Sequence, residues 1–176
     1  MTSPAQLLHV VPVLLSLLVL ASCAGGAFPP VQNIDRPAPA GHDWVICPGG
    51  DPSTRAQGTV GPAGGVLQHP SGHTLVIPAG AVTREHTFTI FEPTAPQLLV
   101  IATVAPNVTF QQPVSLTLSL NRCASLPPAG SLRVFRVNPT GAHDEVGGPP
   151  DQGSTAITSR LDRLSDYALV TTRSGG

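Results

Sequence analysis

The chain has 176 residues and a formal net charge of −1, and its nine basic residues are all Arg. These arginines are scattered and form no run that could neutralise a phosphate backbone, which argues against a nucleic acid partner. The 20 Pro and 18 Gly favour a turn-rich β protein over a helical one. No phosphate loop or Gly-x-Ser-x-Gly elbow is present, so neither a nucleotide site nor a common hydrolase site is expected.

The first 22 residues form a candidate secretion signal. The apolar stretch from Leu7 to Ala21 is short for a membrane-spanning helix, which needs about 20 apolar residues, and fits a cleaved signal better. It ends at Leu20-Ala21-Ser22-Cys23, which resembles the lipobox of bacterial lipoproteins. In that motif small residues precede a cysteine that becomes the acylated mature N-terminus. An ordinary secretory peptide cleaved after Ala27 and an uncleaved anchor are the alternatives.

The lipobox resemblance implies where the protein resides. A lipid on Cys23 would anchor an exported protein to a membrane of the cell envelope, facing the periplasm or the exterior. Ala24 is not the aspartate that retains lipoproteins in the inner membrane. Sorting to the outer membrane is therefore expected in a host that has one.

Residues 23–57 are predicted to be a lipidated N-terminus followed by a flexible tether. The composition is rich in Pro and Gly, as in Arg36-Pro37-Ala38-Pro39-Ala40, which is typical of an extended linker. The stretch 43–47, Asp43-Trp44-Val45-Ile46-Cys47, is too apolar for a linker. It is predicted to dock on the following domain, as an edge strand.

The cysteine count adds one expectation. If Cys23 carries lipid, Cys47 and Cys123 remain as a possible disulfide in an oxidising compartment. Such a bridge would contribute about 4 kcal/mol in the chain-entropy model and would clamp the Trp44 segment onto the domain. The alternative is two separate buried thiols.

Residues 58–174 carry repeated strand signals separated by Pro and Gly turns. The clearest is Val114 to Leu120, in which four apolar residues alternate with three hydroxyls, as in a half-buried strand. Further strands are predicted at 74–77, 87–91, 98–105, 131–137, 155–161 and 167–172. No segment has a helical period over three turns. The prediction is an all-β fold, a single antiparallel β-sandwich.

Three segments of this region resemble the ZU-five domain, the β-sandwich of ankyrins, netrin receptors and zonula occludens proteins. They are Gly64-Gly65-Val66-Leu67 with the corner 75–82, the stretch 104–116 leading from Val104-Ala105-Pro106 into Pro113-Val114-Ser115-Leu116, and the final strand Leu164-Ser165-Asp166-Tyr167-Ala168-Leu169. The resemblance implies a non-enzymatic module that mediates protein–protein interaction, here with an unknown envelope protein. A polysaccharide-binding module is the alternative, followed by a self-cleaving or metal-dependent enzyme.

The corner has a physical interpretation of its own. Pro78 cannot donate to a sheet and ends its strand, whereas Gly80 permits a backbone geometry forbidden to other residues. Ala79 and Ala81 allow close approach of neighbouring chain. Pro78 and Gly80 are therefore predicted to form a structural corner and not a binding site.

Candidate catalytic and metal-binding residues are few, and no cofactor is expected. Some ZU-five-like domains cut their own chain at His-Phe-Ser, but Arg163-Leu164-Ser165 stands here, without an imidazole to activate the serine. His69 and His73 could meet across a turn at a metal ion, although a solvated loop is the preferred interpretation. His143-Asp144-Glu145, in a Gly-rich loop, lacks zinc-protease spacing. Trp44 and Tyr167 are expected to pack on the core.

Overall fold

A computed structural model describes residues 37–47, 50–51, 53–138, 142–149 and 155–173. These residues form eleven strands and one short 3₁₀ helix at Ala129–Ser131. The strands are β1 (His42–Trp44), β2 (Arg55–Val60), β3 (Gly65–Gln68), β4 (Thr74–Ile77), β5 (His86–Phe91), β6 (Leu99–Ala105), β7 (Val114–Ser119), β8 (Leu132–Val137), β9 (His143–Gly147), β10 (Ala156–Leu161) and β11 (Asp166–Thr172).

The strands form two sheets that pack face to face. One sheet has seven strands in the order β2-β5-β6-β11-β8-β9, with β1 paired to β11, and the other has four in the order β10-β7-β4-β3. All of these pairings are antiparallel. The prediction of an all-β antiparallel sandwich is confirmed.

The core lies between the sheets and follows from strand alternation. Three apolar residues of β7 are completely buried: Val114, Leu116 and Leu118. Ser115 and Thr117 stand between them and are only partly buried, because successive side chains of a strand point to opposite faces. Full burial of an aliphatic side chain contributes about 1.5–3 kcal/mol, so the apolar faces hold the two sheets together.

Two regions differ from the sequence prediction. The predicted domain began at residue 58, but β2 begins at Arg55, and Arg55 to Gln57 pair with Phe91 to Thr89 of β5. The folded part of the chain therefore begins before residue 58. The second region, His143-Asp144-Glu145, is predicted to be a loop but lies in β9, which pairs with β8. The sequence does not predict this edge strand because the strand is polar and buries little apolar surface.

The segment 43–47 lies against the domain. β1 pairs with the last residues of β11, and beyond it the Val45 N–H donates to the Leu169 carbonyl oxygen at 3.0 Å. Trp44 packs on the outer face of the seven-stranded sheet, in a small apolar cluster with Leu99, Ile101, Val137 and Ala168. Backbone pairing and apolar contacts both hold this segment.

Tyr167 fixes the crossover between the sheets. It lies near the start of β11, just after the chain has left β10 of the other sheet. Its side chain is completely buried, and its hydroxyl donates to the Arg163 carbonyl oxygen at 2.6 Å. This is the arrangement of the tyrosine corner in Greek-key sandwiches. Burial raises the pKa of the Tyr167 hydroxyl, which therefore remains a donor at physiological pH.

Candidate functional site

A cluster of polar side chains is buried where the β3–β4 turn, the end of β5 and the segment after β7 meet. It joins His73, which precedes β4, to Glu92, which follows β5, and to Arg122, which follows β7. His73 and Glu92 are 0% and 1% exposed, whereas the Arg122 side chain is 19% exposed. We call these three residues the Glu92 cluster.

One carboxylate oxygen of Glu92 contacts both partners and accepts hydrogen bonds from Arg122. Glu92 Oε1 lies 2.8 Å from His73 Nε2, 3.0 Å from Arg122 Nε and 2.6 Å from Arg122 Nη2. The backbone N–H of Ser119 donates to His73 Nδ1 at 2.9 Å. Because Nδ1 is an acceptor, the ring proton of His73 is on Nε2, where it faces the carboxylate. Ser119 therefore fixes the tautomer of His73 whose Nε2 proton is on the side of Glu92.

The ionised form of Glu92 is favoured in spite of its burial. Removal from water opposes ionisation, but hydrogen bonds from His73 and Ser71 and the charge of Arg122 outweigh it and lower the pKa of Glu92 from 4.5 to about 2. Glu92 is therefore an anion at physiological pH. A buried charge is costly unless it is both paired and hydrogen-bonded, and the cluster supplies both.

The prediction that His69 and His73 belong to a solvated loop is wrong, because both rings are buried. His69 Nε2 lies 3.2 Å from the Thr54 carbonyl oxygen, and His69 Nδ1 lies 2.6 Å from Ser71 Oγ. The centroids of the two rings are 5.9 Å apart. Hydrogen-bond partners from other parts of the chain replace water around this turn. Of these partners only Ser71 belongs to the turn itself, so the local sequence does not indicate the burial.

The Cys47–Cys123 disulfide adjoins the cluster, since Cys123 follows Arg122 in the chain. The sulfur atoms are 2.02 Å apart and the Cα atoms 4.6 Å apart, across a separation of 76 residues. Gly50 packs directly on Glu92, so that a Cβ added to Gly50 would lie 2.7 Å from Glu92 Cβ. We call the described residues from Cys47 to Thr54 the cover segment. The disulfide fixes one end of this segment beside the Glu92 cluster.

The Glu92 cluster does not fit a bound metal ion. Among the residues that the structure describes, no three His, Cys, Asp or Glu side chains are grouped so as to hold one. His73 and Glu92 offer an imidazole and a carboxylate, but Arg122 already contacts the carboxylate oxygen that faces His73. A cation at this oxygen would have to displace the guanidinium. The arrangement is suited to fixing three loops to one another.

A second charged cluster surrounds Arg136 of β8. Its guanidinium donates to Asp144 Oδ2 and to Asp162 Oδ1, both at 2.9 Å, and Arg163 Nη2 lies 3.6 Å from Asp144 Oδ2. The side chains of Asp144 and Asp162 are 46% and 76% exposed. We call these four residues the Arg136 cluster. Of the candidate residues His143, Asp144 and Glu145, Asp144 therefore belongs to this cluster. Glu145 lies 3.4 Å from Arg133 Nε.

The corner at Pro78 and Gly80 has a backbone that glycine alone accommodates readily. Gly80 has φ of +78°, and its N–H donates to the Pro62 carbonyl oxygen at 2.8 Å. Gly64, which precedes β3, has φ of +77°, and a Cβ there would lie 2.6 Å from the Ala79 nitrogen. The corner is thus packed against Gly64 on one side, while Gln112 donates to the Ala79 carbonyl oxygen on another.

The remaining site residues of the sequence analysis lie apart from the Glu92 cluster. Arg163-Leu164-Ser165 links β10 to β11, and the Ser165 carbonyl oxygen accepts from the Ala102 N–H at 3.0 Å. Cys23, the predicted signal peptide at 1–22 and the predicted tether up to residue 36 lie outside the described residues. The described part of the chain holds no helix with the length and apolar character needed to span a membrane.

Neither a protein family model nor a curated protein matches this chain.

Proposed function

We propose that this chain is a lipid-anchored extracytoplasmic protein whose β-sandwich is a non-enzymatic binding or structural module at the cell envelope. The observation that carries the proposal is the Cys47–Cys123 disulfide, because such bonds form and persist in oxidising compartments and are rare in the cytosol. The Leu20-Ala21-Ser22-Cys23 pattern supplies an export signal and an anchor consistent with that setting.

The non-enzymatic part of the proposal is supported by how the polar residues are used. The buried Glu92 is engaged by His73 and Arg122 of its own chain, and Gly50 packs directly against it. The ZU-five resemblance favours a protein partner over a polysaccharide, and Trp44 supports this because it packs in an apolar cluster on the sheet. An envelope protein is the proposed partner.

Metabolic labelling tests the anchor. Labelled palmitate should enter the full chain expressed in a bacterial host, and Cys23→Ala should abolish the label. The control variant is Cys123→Ala. It removes a cysteine outside the signal and should leave the label intact. Equal labelling of wild type and Cys23→Ala would refute the anchor.

Affinity capture tests the binding module. The acylated protein, recovered from detergent-solubilised envelopes after in-cell cross-linking, should bring down a specific envelope protein. Capture of peptidoglycan or another polysaccharide without protein would instead favour the alternative function. The control is an unrelated lipoprotein with the same anchor, since it reports binding through lipid alone.

A further inference from the structure

The two open sides of the sandwich are built differently. Each sheet ends in an edge strand on either side: β2 lies beside β3 on one side, and β9 lies beside β10 on the other. Within the described residues, each of these four strands pairs with a strand on one side only. An edge strand presents backbone donors and acceptors that another chain can pair with, so the protection of each side is informative.

The β9–β10 side is closed and charged. Gly147 of β9 packs directly onto Ser159 of β10, leaving no space for a Cβ. Asp144 and Glu145 place two carboxylates on the edge strand itself. Close packing and edge charges are devices by which sheet proteins discourage edge-to-edge association.

The β2–β3 side carries no carboxylate and is closely packed only near the turn at 61–64, where a Cβ at Gly65 of β3 would lie 3.1 Å from Val60 of β2. The two strands border a groove of about 450 Å³, lined by residues 55–60 and 64–68. Strand β2 pairs with β5 without a bulge and contains no Pro, Lys or acidic residue. Gly58 at its middle is not required by packing, because a Cβ there would meet Leu67 at an ordinary 3.9 Å. A glycine inside a strand often marks the close approach of another backbone.

We propose that the edge of β2 pairs antiparallel with β2 of a second copy of this chain, joining two seven-stranded sheets across a two-fold axis. The strand sequence Arg55-Ala56-Gln57-Gly58-Thr59-Val60 is self-complementary in this arrangement. With the axis at Gly58, the inner-face residue Ala56 lies opposite Val60 of the other copy, and the outer-face residue Gln57 lies opposite Thr59.

Charge favours a second copy in particular. The one charged residue of β2 is Arg55, at its first position. Antiparallel pairing about Gly58 separates the two arginines by about 20 Å along the strands, because each residue advances about 3.3 Å. Like charges directly opposite one another destabilise a strand pair, and this arrangement has none. Gln57 already donates to Thr89 Oγ1 at 3.3 Å within the sheet, so a Gln–Thr contact across strands suits this face.

Thiol cross-linking of the full chain in envelopes tests the pairing. Gln57→Cys should yield a dimer with a bis-maleimide whose spacer is about 8 Å. Thr103→Cys is the matched control, because Thr103 lies in the same row on the same face, two strands inward through Thr89. In the proposed dimer five strand spacings of about 4.8 Å separate the two Thr103 positions, or about 24 Å, so this variant should not cross-link.

A charge variant supplies the second readout. Adding Thr59→Lys to Gln57→Cys should lower the cross-linked fraction about ten-fold, whereas adding Thr109→Lys, also at an exposed position, should leave it unchanged. Dimer from Gln57→Cys that is sensitive to Thr59→Lys supports the proposal. No dimer, equal dimer from Thr103→Cys, or a cross-link only to a different protein would overturn it. The same result is expected with Cys23→Ala at higher protein concentration, so failure of the lipid anchor and failure of the pairing are distinguishable.

Discussion

The Glu92 cluster and the Arg136 cluster use the same chemistry at different strands of the seven-stranded sheet, but in different surroundings. In both, an arginine contacts carboxylate at 2.6–2.9 Å. Glu92 is 1% exposed, whereas Asp162 is 76% exposed. A buried ion is costly to leave without its partner, while a surface pair is screened by water. Although the distances are similar, the difference in burial makes Glu92 depend more on its partner than Asp162 does.

The Glu92 cluster and the corner at Pro78 and Gly80 also differ in how the chain is fixed. Near Glu92, the disulfide and buried hydrogen bonds hold segments that are far apart in sequence. At the other end of β4, the corner depends on the backbone conformations of Gly64 and Gly80. We therefore expect the Glu92 cluster to respond to changes of charge and redox state, and the corner to respond to added side-chain volume.

The largest expected effect is that of Glu92→Ala. It leaves Arg122 and His73 without their acceptor in a buried place and should lower the free energy of unfolding by about 3–5 kcal/mol. Asp162→Ala, the matched change in the Arg136 cluster, should cost less than about 1 kcal/mol. Urea denaturation of both variants and wild type measures the difference. Equal losses would remove the distinction between the clusters.

Acid should weaken the protein through Glu92. Its pKa is lowered in the folded state from 4.5 to about 2, so its contribution is present above the unfolded pKa and is lost as the pH falls from about 5 to about 2. The loss should be about 3 kcal/mol. Denaturation of wild type and Glu92→Gln at several pH values isolates it, because other carboxylates titrate in both. Parallel pH curves would contradict the assignment.

The two corner glycines should differ when replaced by alanine. At Gly64 a Cβ would lie 2.6 Å from the backbone of Ile77 and Ala79, so Gly64→Ala should cost about 2–3 kcal/mol. At Gly80 the nearest atom is Gln112 Nε2 at 3.3 Å, so Gly80→Ala should cost about 1 kcal/mol, mainly from its positive φ. Thermal melts rank them, and the reverse ranking would show that the corner is misinterpreted.

An effect smaller than those at Glu92 and Gly64 is expected at the cover segment. Gly50→Ala places a Cβ 2.7 Å from Glu92 Cβ and 3.3 Å from the Pro93 carbonyl oxygen, so the segment must shift, at about 1–2 kcal/mol. Gly130→Ala is the control, because nothing lies within 4 Å of a Cβ there. Faster hydrogen exchange around Ser71 to His73 should accompany the first change and not the second.

Seven of the strands, β4 to β8, β10 and β11, could be predicted because their own sequences carry strand signals. The alternation from Val114 to Leu120 identifies β7, and 74–77 matches β4 to the residue. β9 could not be predicted because a polar edge strand lacks an apolar alternation. The Glu92 cluster could not be predicted for a different reason: Arg122 lies 30 positions from Glu92, and pairing at that distance leaves no local sequence pattern. A charged residue between the apolar Phe91 and Pro93 was the one local hint.

Peptide mass mapping without reduction, on the full chain extracted from envelopes, tests the central claim most directly. That claim is that the exported chain is oxidised so that Cys47 and Cys123 hold the cover segment beside the buried Glu92. We predict that the peptides containing Cys47 and Cys123 are recovered linked. Free thiols at both positions after export would contradict the account.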